Sequence, residues 1–324
     1  MSSTNSADAW TLPCQRALFD IPDDVAYLNC AFMAPLMASV VAAGEAGVRR
    51  KQSPWTITPP DFFEGPARGR SLFAKLIAAQ EKDIAVVPSV SYGISTAALN
   101  AAVGKGQQIV LLDEQFPSNV YPWREKARVC GASVVTVARP EASRSWTPAV
   151  LENINDRTAV VSVPHCHWTD GTLLDLEAVG EAARAVGAML VVDATQSLGA
   201  LPLDVRSVRP DYLVAAAYKW LLGPYSLGFM YVAPERGADR PLEHGWADRA
   251  GAHDFARLVD YQDSFGPGMK RMDVGEFSQF HLMPMAIAAM EQILDWGVPN
   301  IAASLAHLTG RIAARAAVLG LGSA

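Results

Sequence analysis

Lys219 is the residue whose type and place most call for a chemical role. It follows the apolar run D-Y-L-V-A-A-A and stands between Tyr218 and Trp220 in A-A-A-Y-K-W-L-L-G-P. Lysine is rarely buried without a partner, and a buried amine shifts its pKa readily and becomes a usable nucleophile. Asp193, in L-V-V-D-A-T-Q, poses the matching question. A carboxylate at the end of a buried strand is costly unless it meets a cation. Gln196, three residues on, can donate to an adjacent oxygen. A structural ion pair is the competing reading for both charges. Two further strand ends carry candidate groups. In P-S-V-S-Y-G-I hydroxyls and a glycine open a helix, whose free N–H groups suit a phosphate or an ordinary cap. In D-E-Q-F-P-S-N-V-Y-P-W, Phe116 could stack on a planar ligand or simply pack on the core. H-C-H-W at 165–168 is not a metal motif. Strand alternation puts His165 and His167 on one face and Cys166 on the other, and no second Cys/His pair lies nearby. A histidine or Trp168 lining a ligand pocket fits it better.

The elements that must position these groups read as alternating helices and strands from residue 64 onward. Leu72, Phe73, Leu76 and Ile77 form one helical stripe. D-I-A-V-V-P, Q-Q-I-V-L-L-D, S-V-V-T-V-A, T-A-V-V-S-V-P, A-M-L-V-V-D-A, D-Y-L-V-A-A-A and G-F-M-Y-V-A read as strands. Gly131 and Gly187 stop helices; Asp175 caps one, and Thr147-Pro148 opens another. Strands without polar alternation, separated by helices of about ten residues or more, predict an α/β fold with a mostly parallel sheet covered by helices on both faces. Ligands then sit at the carboxyl ends of the strands, where Asp193 and Lys219 fall. Beyond about residue 250 the pattern changes to two consecutive helices.

Composition narrows the function classes. Half of the 324 residues are apolar and the formal net charge is −6, which gives no electrostatic footprint for nucleic acid or an anionic membrane. Four widely spaced cysteines, Cys14, Cys30, Cys130 and Cys166, argue against a disulfide framework and for a reducing compartment. The first ten residues contain no apolar signal core, and no run is long enough to span a membrane. The expectation is a cytoplasmic protein.

Asp193, Gln196 and Lys219, in that order, resemble the core of fold type I pyridoxal-phosphate enzymes. V-V-D-A-T-Q-S-L-G-A-L-P-L-D-V and Y-L-V-A-A-A-Y-K-W-L-L-G-P-Y-S-L-G-F-M-Y-V are similar to the aspartate and lysine segments of the class V aminotransferase family. That family includes cysteine desulfurases, kynureninases and isopenicillin-N-epimerase-like proteins. Y-L-N-C-A, P-S-V-S-Y-G-I and F-P-S-N-V-Y-P-W support the likeness, which spans roughly residues 25–300. It implies pyridoxal 5'-phosphate as cofactor, a Schiff base on Lys219, and Asp193 on the pyridine nitrogen. It also implies Gln196 near the Schiff-base lysine or the ring hydroxyl oxygen, Phe116 on the ring face, and Val90 and Ser91 around the phosphate. Tyr218 and Trp246 would serve the phosphate, and His167 would lie near the ring oxygen.

The same resemblance implies an aminotransferase-like enzyme acting on an amino acid or amine through a carbanion, working as a homodimer. A lyase, an epimerase or a non-catalytic binding protein are the alternatives. Ala216 departs from the desulfurase pattern, where a phosphate-binding serine stands. Glu276 departs too, lying where relatives often lend a threonine to the partner's phosphate. The expected organisation is a large cofactor domain over 51–250, with 1–50 joining a smaller domain that begins at 251–324 and stops short of its relatives.

Overall fold

The computed structural model describes residues 12–140 and 145–321; the reading of the first ten residues as free of a signal core lies outside them. Seven strands form one sheet: β1 (Ile84–Val87), β2 (Gln108–Leu112), β3 (Ser133–Val137), β4 (Thr158–Pro164), β5 (Met189–Asp193), β6 (Tyr212–Ala216) and β7 (Gly228–Val232). Their order is β1-β7-β6-β5-β4-β2-β3. β2 to β6 run parallel where they pair, and β7 is antiparallel to both β6 and β1. β1 therefore points the same way as β6. The carboxyl ends of β1, β2, β4, β5 and β6 all reach one edge of the sheet.

The unbroken apolar runs have the expected cause, because every strand except the edge strand β3 is buried along its whole length. Successive side chains feed opposite faces. Val110, Val161, Val192 and Leu213 pack on one side with helices α2 (Asp61–Leu76), α5 (Trp146–Asn153), α6 (Leu176–Ala185), α7 (Val205–Val208) and α8 (Leu282–Trp296). Ile109, Val160, Val191 and Val214 pack on the other with α3 (Val90–Asn100) and α4 (Tyr121–Cys130). Gly131 (φ 68°) and Gly187 (φ 71°) take the left-handed positions after α4 and α6, and the Asp175 side chain accepts from the Ala178 N–H at 3.0 Å. One boundary differs from expectation: α5 starts at Trp146, and the Thr147 hydroxyl instead accepts from the Asp175 N–H.

The two helices after residue 250 are α8 and α9 (Val298–Val318). α8 packs on α2 and on α1 (Ala38–Arg50) and sends Met283, Ala286, Met290 and Ile293 into the main core, whereas α9 buries only Val298. No helix among the described residues is long and apolar enough to cross a membrane.

A second group of charges lies away from the strand-end crevice. Arg70 and Asp273 form a buried ion pair, and Asp273 also accepts from the Val86 N–H at 2.7 Å. Asp248, 3% exposed, stands near them. Burial pushes its carboxyl up to about 7, with the Asp273 charge adding and Arg70, Lys270 and Arg249 opposing. A raised carboxyl pKa means the folded chain binds the proton more tightly than the unfolded chain, so stability falls as pH rises through this window. Asp248→Asn should therefore raise the unfolding midpoint most above about pH 7, with the gain fading toward pH 3.8. Thermal denaturation of both proteins across that range checks it; a gain that does not depend on pH would exclude Asp248 as the titrating group.

Candidate active site

Five strand ends deliver side chains to one crevice. Its volume is about 310 Å³, and its lining includes Ser89, Phe116, Trp168, Asp193, Lys219 and Tyr225. Asp193 is the last residue of β5 and is buried. The Thr195 N–H donates to its Oδ1 at 3.0 Å, while the Thr195 hydroxyl accepts from the Ala216 N–H and so ties the β5 end to the β6 end. Lys219 is three residues past β6 and 6% exposed. Burial pushes the Asp193 carboxyl up and the Lys219 amine down, and the attraction between the two charges opposes both shifts without reversing them. The pair is thus a buried acid and base, each destabilised in its charged form.

The opposite end of the crevice is the N-terminus of α3. Ser89 caps it by accepting from the Tyr92 N–H, and the Ser89 and Ser91 hydroxyls lie 2.9 Å apart. The first N–H groups of a helix have no intrahelical partner, and the helix dipole favours an anion there. Gly93 lets this end approach the sheet, since a Cβ would stand 2.8 Å from both Val214 methyls. Val90 and Ser91 both line the crevice.

Phe116 also lines it, with Lys219 Nζ 5.4 Å from its ring centroid and 5.7 Å from that of Tyr218. Burial pushes the Tyr218 hydroxyl's pKa up. The loops that carry these groups are strained. Glu114 (φ 51°), Leu222 (φ 54°) and Ser226 (φ 65°) all occupy the left-handed region without being glycine, as is common where function fixes the backbone.

Three expected site residues are placed differently. Gln196 lines the crevice, but its amide is engaged elsewhere: Nε2 donates to the Ala31 carbonyl and Oε1 accepts from Trp220, both at 3.0 Å. It anchors the Y-L-N-C-A segment, which the Ala34 N–H also ties to the Tyr218 carbonyl. His167 faces away. It is fully buried, donates through Nε2 to the Asp113 carbonyl at 3.1 Å, meets the Thr169 hydroxyl through Nδ1 at 3.0 Å, and stacks on Trp146. Trp246 lies outside this crevice, against Phe62, Phe63 and Phe255. Glu276 is exposed.

Sequence reasoning missed Thr195, whose only signal was a hydroxyl two residues after the aspartate, and Tyr225, which follows no pattern. Among the described residues no group of three His, Cys, Asp or Glu side chains could hold a metal. Cys166 lines the crevice with its thiol pushed up to about 11 by burial, so it is held neutral.

A buried lysine and aspartate at adjacent strand ends share one crevice of this α/β protein with a hydroxyl-bearing helix N-terminus. The sequence profile described as Aminotransferase class-V matches residues 61–247, and the chain belongs to that family. It is 33% identical over 234 residues to an uncharacterized aminotransferase, YcbU, of Bacillus subtilis, covering 72% of this chain and 60% of that one. It is 30% identical over 294 residues to a kynureninase of Deinococcus radiodurans, covering 87% and 67%. The chain thus spans about 60% of the Bacillus relative's length. Its fold matches a C-DES mutant solved with glycine covalently linked to its PLP cofactor, with TM-score 0.78, 19% identity, and 89% and 76% of the two chains covered. It also matches the apo cysteine desulfurase of Thermococcus onnurineus, with TM-score 0.74, 20% identity and 87% and 70% coverage.

Pyridoxal phosphate is the cofactor this family implies, and the donor set fits it. A buried amine suits the aldehyde, and a buried carboxylate suits a ring N–H. An aromatic ring stands over the lysine, and a helix N-terminus with two serines suits the phosphate.

Proposed function

We propose that the chain is the cofactor-binding part of a pyridoxal-phosphate enzyme that acts on an amino acid or amine, with transamination as its reaction. The observation that carries this reading is the burial of Lys219 and Asp193 in one crevice with the helix N-terminus of α3. When bound, pyridoxal phosphate supplies an aldehyde that captures amines and a ring that withdraws electrons. Lys219 would supply the amine that captures that aldehyde, and burial lowers its pKa, which eases the return of a proton from Nζ. Asp193 keeps the ring nitrogen protonated through its buried carboxylate. Ser89, Ser91 and the first N–H groups of α3 bind the phosphate, and Phe116 excludes water from one ring face.

The family likeness supports a cytoplasmic homodimer. In that assembly Trp246, half-exposed and outside its own chain's crevice, is free to serve the neighbouring subunit. Kynureninase and isopenicillin N epimerase among the relatives keep lyase and epimerase chemistry as the alternative. The deciding experiment offers the cofactor-loaded chain a panel of amino acids and amines. Keto acid or aldehyde formed with consumption of an amino acceptor is the expected result. Release of ammonia or alanine without an acceptor, or racemisation alone, would replace transamination with the alternative.

A further inference from the structure

Two pairs of aromatic rings stand near Lys219. In one, Phe116 meets Trp168 edge to face, with centroids 5.5 Å apart. In the other, Tyr218 leans on Tyr225 at 4.7 Å. The inner members, Phe116 and Tyr218, are the two rings near the Lys219 Nζ. The outer members, Trp168 and Tyr225, are 45% and 62% exposed and line the same crevice. The charged side chains in that lining, Lys219 and Asp193, are both buried. The exposed part of that lining, among the described residues, therefore carries no charged side chain.

A loose surface tryptophan would mean little, but Trp168 is held. Its indole N–H donates to the Glu114 carbonyl at 2.7 Å, which leaves the ring's apolar face and edges to whatever enters. Its loop is fastened from beneath by His167, which bonds Asp113 and Thr169 and stacks on Trp146. Arg139 fastens it from the side, with hydrogen bonds to Glu114 and Asp170 and one of 2.8 Å to Thr169. The Arg139 guanidinium also stands 5.3 Å over the Trp146 ring. This network joins the loop after β2, which carries Phe116, to the loop after β4, which carries Trp168. A wall fixed before the ligand arrives loses little freedom on binding.

We propose that Trp168 and Tyr225 frame a slot for a flat aromatic side chain of the substrate. The slot deepens the reading of the crevice as a pyridoxal-phosphate site acting on an amino acid or amine, and rests on it. An aliphatic side chain would gain only the burial of its surface there. A planar ring adds the edge-to-face or offset contacts that aromatic pairs prefer, a preference of about three- to tenfold in affinity.

The test compares phenylethylamine and L-phenylalanine with their cyclohexyl counterparts, which match them in charge and nearly in size but are not flat. Binding to the full chain is measured by calorimetry, with and without pyridoxal phosphate. Ligand-free samples of each protein with pyridoxal phosphate are reduced with borohydride to measure how much cofactor is retained. The wild type should favour the phenyl ligands by about three- to tenfold. Trp168→Leu should bring that ratio near one while cofactor retention persists, and Tyr225→Ala, at a more exposed position, should lower it independently. A wild-type ratio near one, or a ratio that both variants leave unchanged, overturns the slot. Loss of cofactor retention in Trp168→Leu also overturns it, because the indole would then serve the cofactor. Failure of the wild type to retain pyridoxal phosphate would instead defeat the enzyme reading, and the ratio measured on the cofactor-free chain would still decide the slot.

Discussion

Lys219→Ala should abolish covalent capture of pyridoxal phosphate. Borohydride treatment of the wild-type chain is expected to leave the cofactor fixed on the peptide that carries Lys219, and treatment of the variant to fix none there. Lys219 is the buried lysine of the described residues. Its amine is pushed down from the ordinary 10.5 by burial, against the pull of Asp193. A larger neutral fraction at a given pH favours Lys219 over exposed lysines as the nucleophile. Capture should consequently persist to lower pH than nonspecific labelling of surface amines does. Turnover should fall by on the order of 10²–10⁴-fold, the usual worth of a positioned proton carrier. Lys219→Arg separates chemistry from charge. It keeps a cation opposite Asp193 but cannot release its proton, so it should fail in capture as completely as alanine does. Wild-type labelling of another lysine in Lys219→Ala would refute the assignment.

The sheet was legible because six of its seven strands are buried along their whole length, and that burial writes unbroken apolar runs. Strand order and the reversal of β7 were not legible, since they depend on pairings between runs that look alike. The start of α5 was missed by two residues because Thr147 resembles a cap, whereas its hydroxyl is used by the Asp175 N–H. At the site, Lys219 and Asp193 stood out because a charge at the end of a core strand contradicts its surroundings. His167 and Gln196 carried the same polar signal in the sequence, yet the fold uses their hydrogen bonds to fasten loops. Polarity announces that a buried group must be satisfied and leaves open what satisfies it. Trp168 and Tyr225 stayed unread as a pair for a related reason. They are 57 positions apart in the chain, and only the junction of β4 and β6 loops at one sheet edge places them on a common crevice.

Asp193→Asn should change stability and cofactor binding in opposite directions. In the cofactor-free chain the carboxyl pKa is raised by burial even with the attraction of Lys219 counted. The ionised group therefore costs folding free energy at every pH above its folded-state pKa, and a neutral amide of the same shape removes that cost. The cofactor-free variant should unfold at a higher temperature than the wild type at neutral pH. The advantage should shrink as pH falls toward 3.8 and vanish below it, where the wild-type carboxyl is protonated in both states. Pyridoxal phosphate should reverse the order. An amide cannot hold a proton on the ring nitrogen as a carboxylate does, and losing one partner of a buried charge pair typically costs ~2–5 kcal/mol. The variant's affinity for the cofactor should drop on the order of 10²-fold or more, and added cofactor should raise its unfolding temperature far less than it raises that of the wild type. Thermal denaturation of both proteins, with and without cofactor, reads all of these effects together. Equal stabilisation of the two by pyridoxal phosphate would mean that Asp193 does not meet the ring nitrogen. A cofactor-free variant less stable than the wild type at neutral pH would mean that its carboxylate is satisfied by the fold itself, as an ordinary structural charge is.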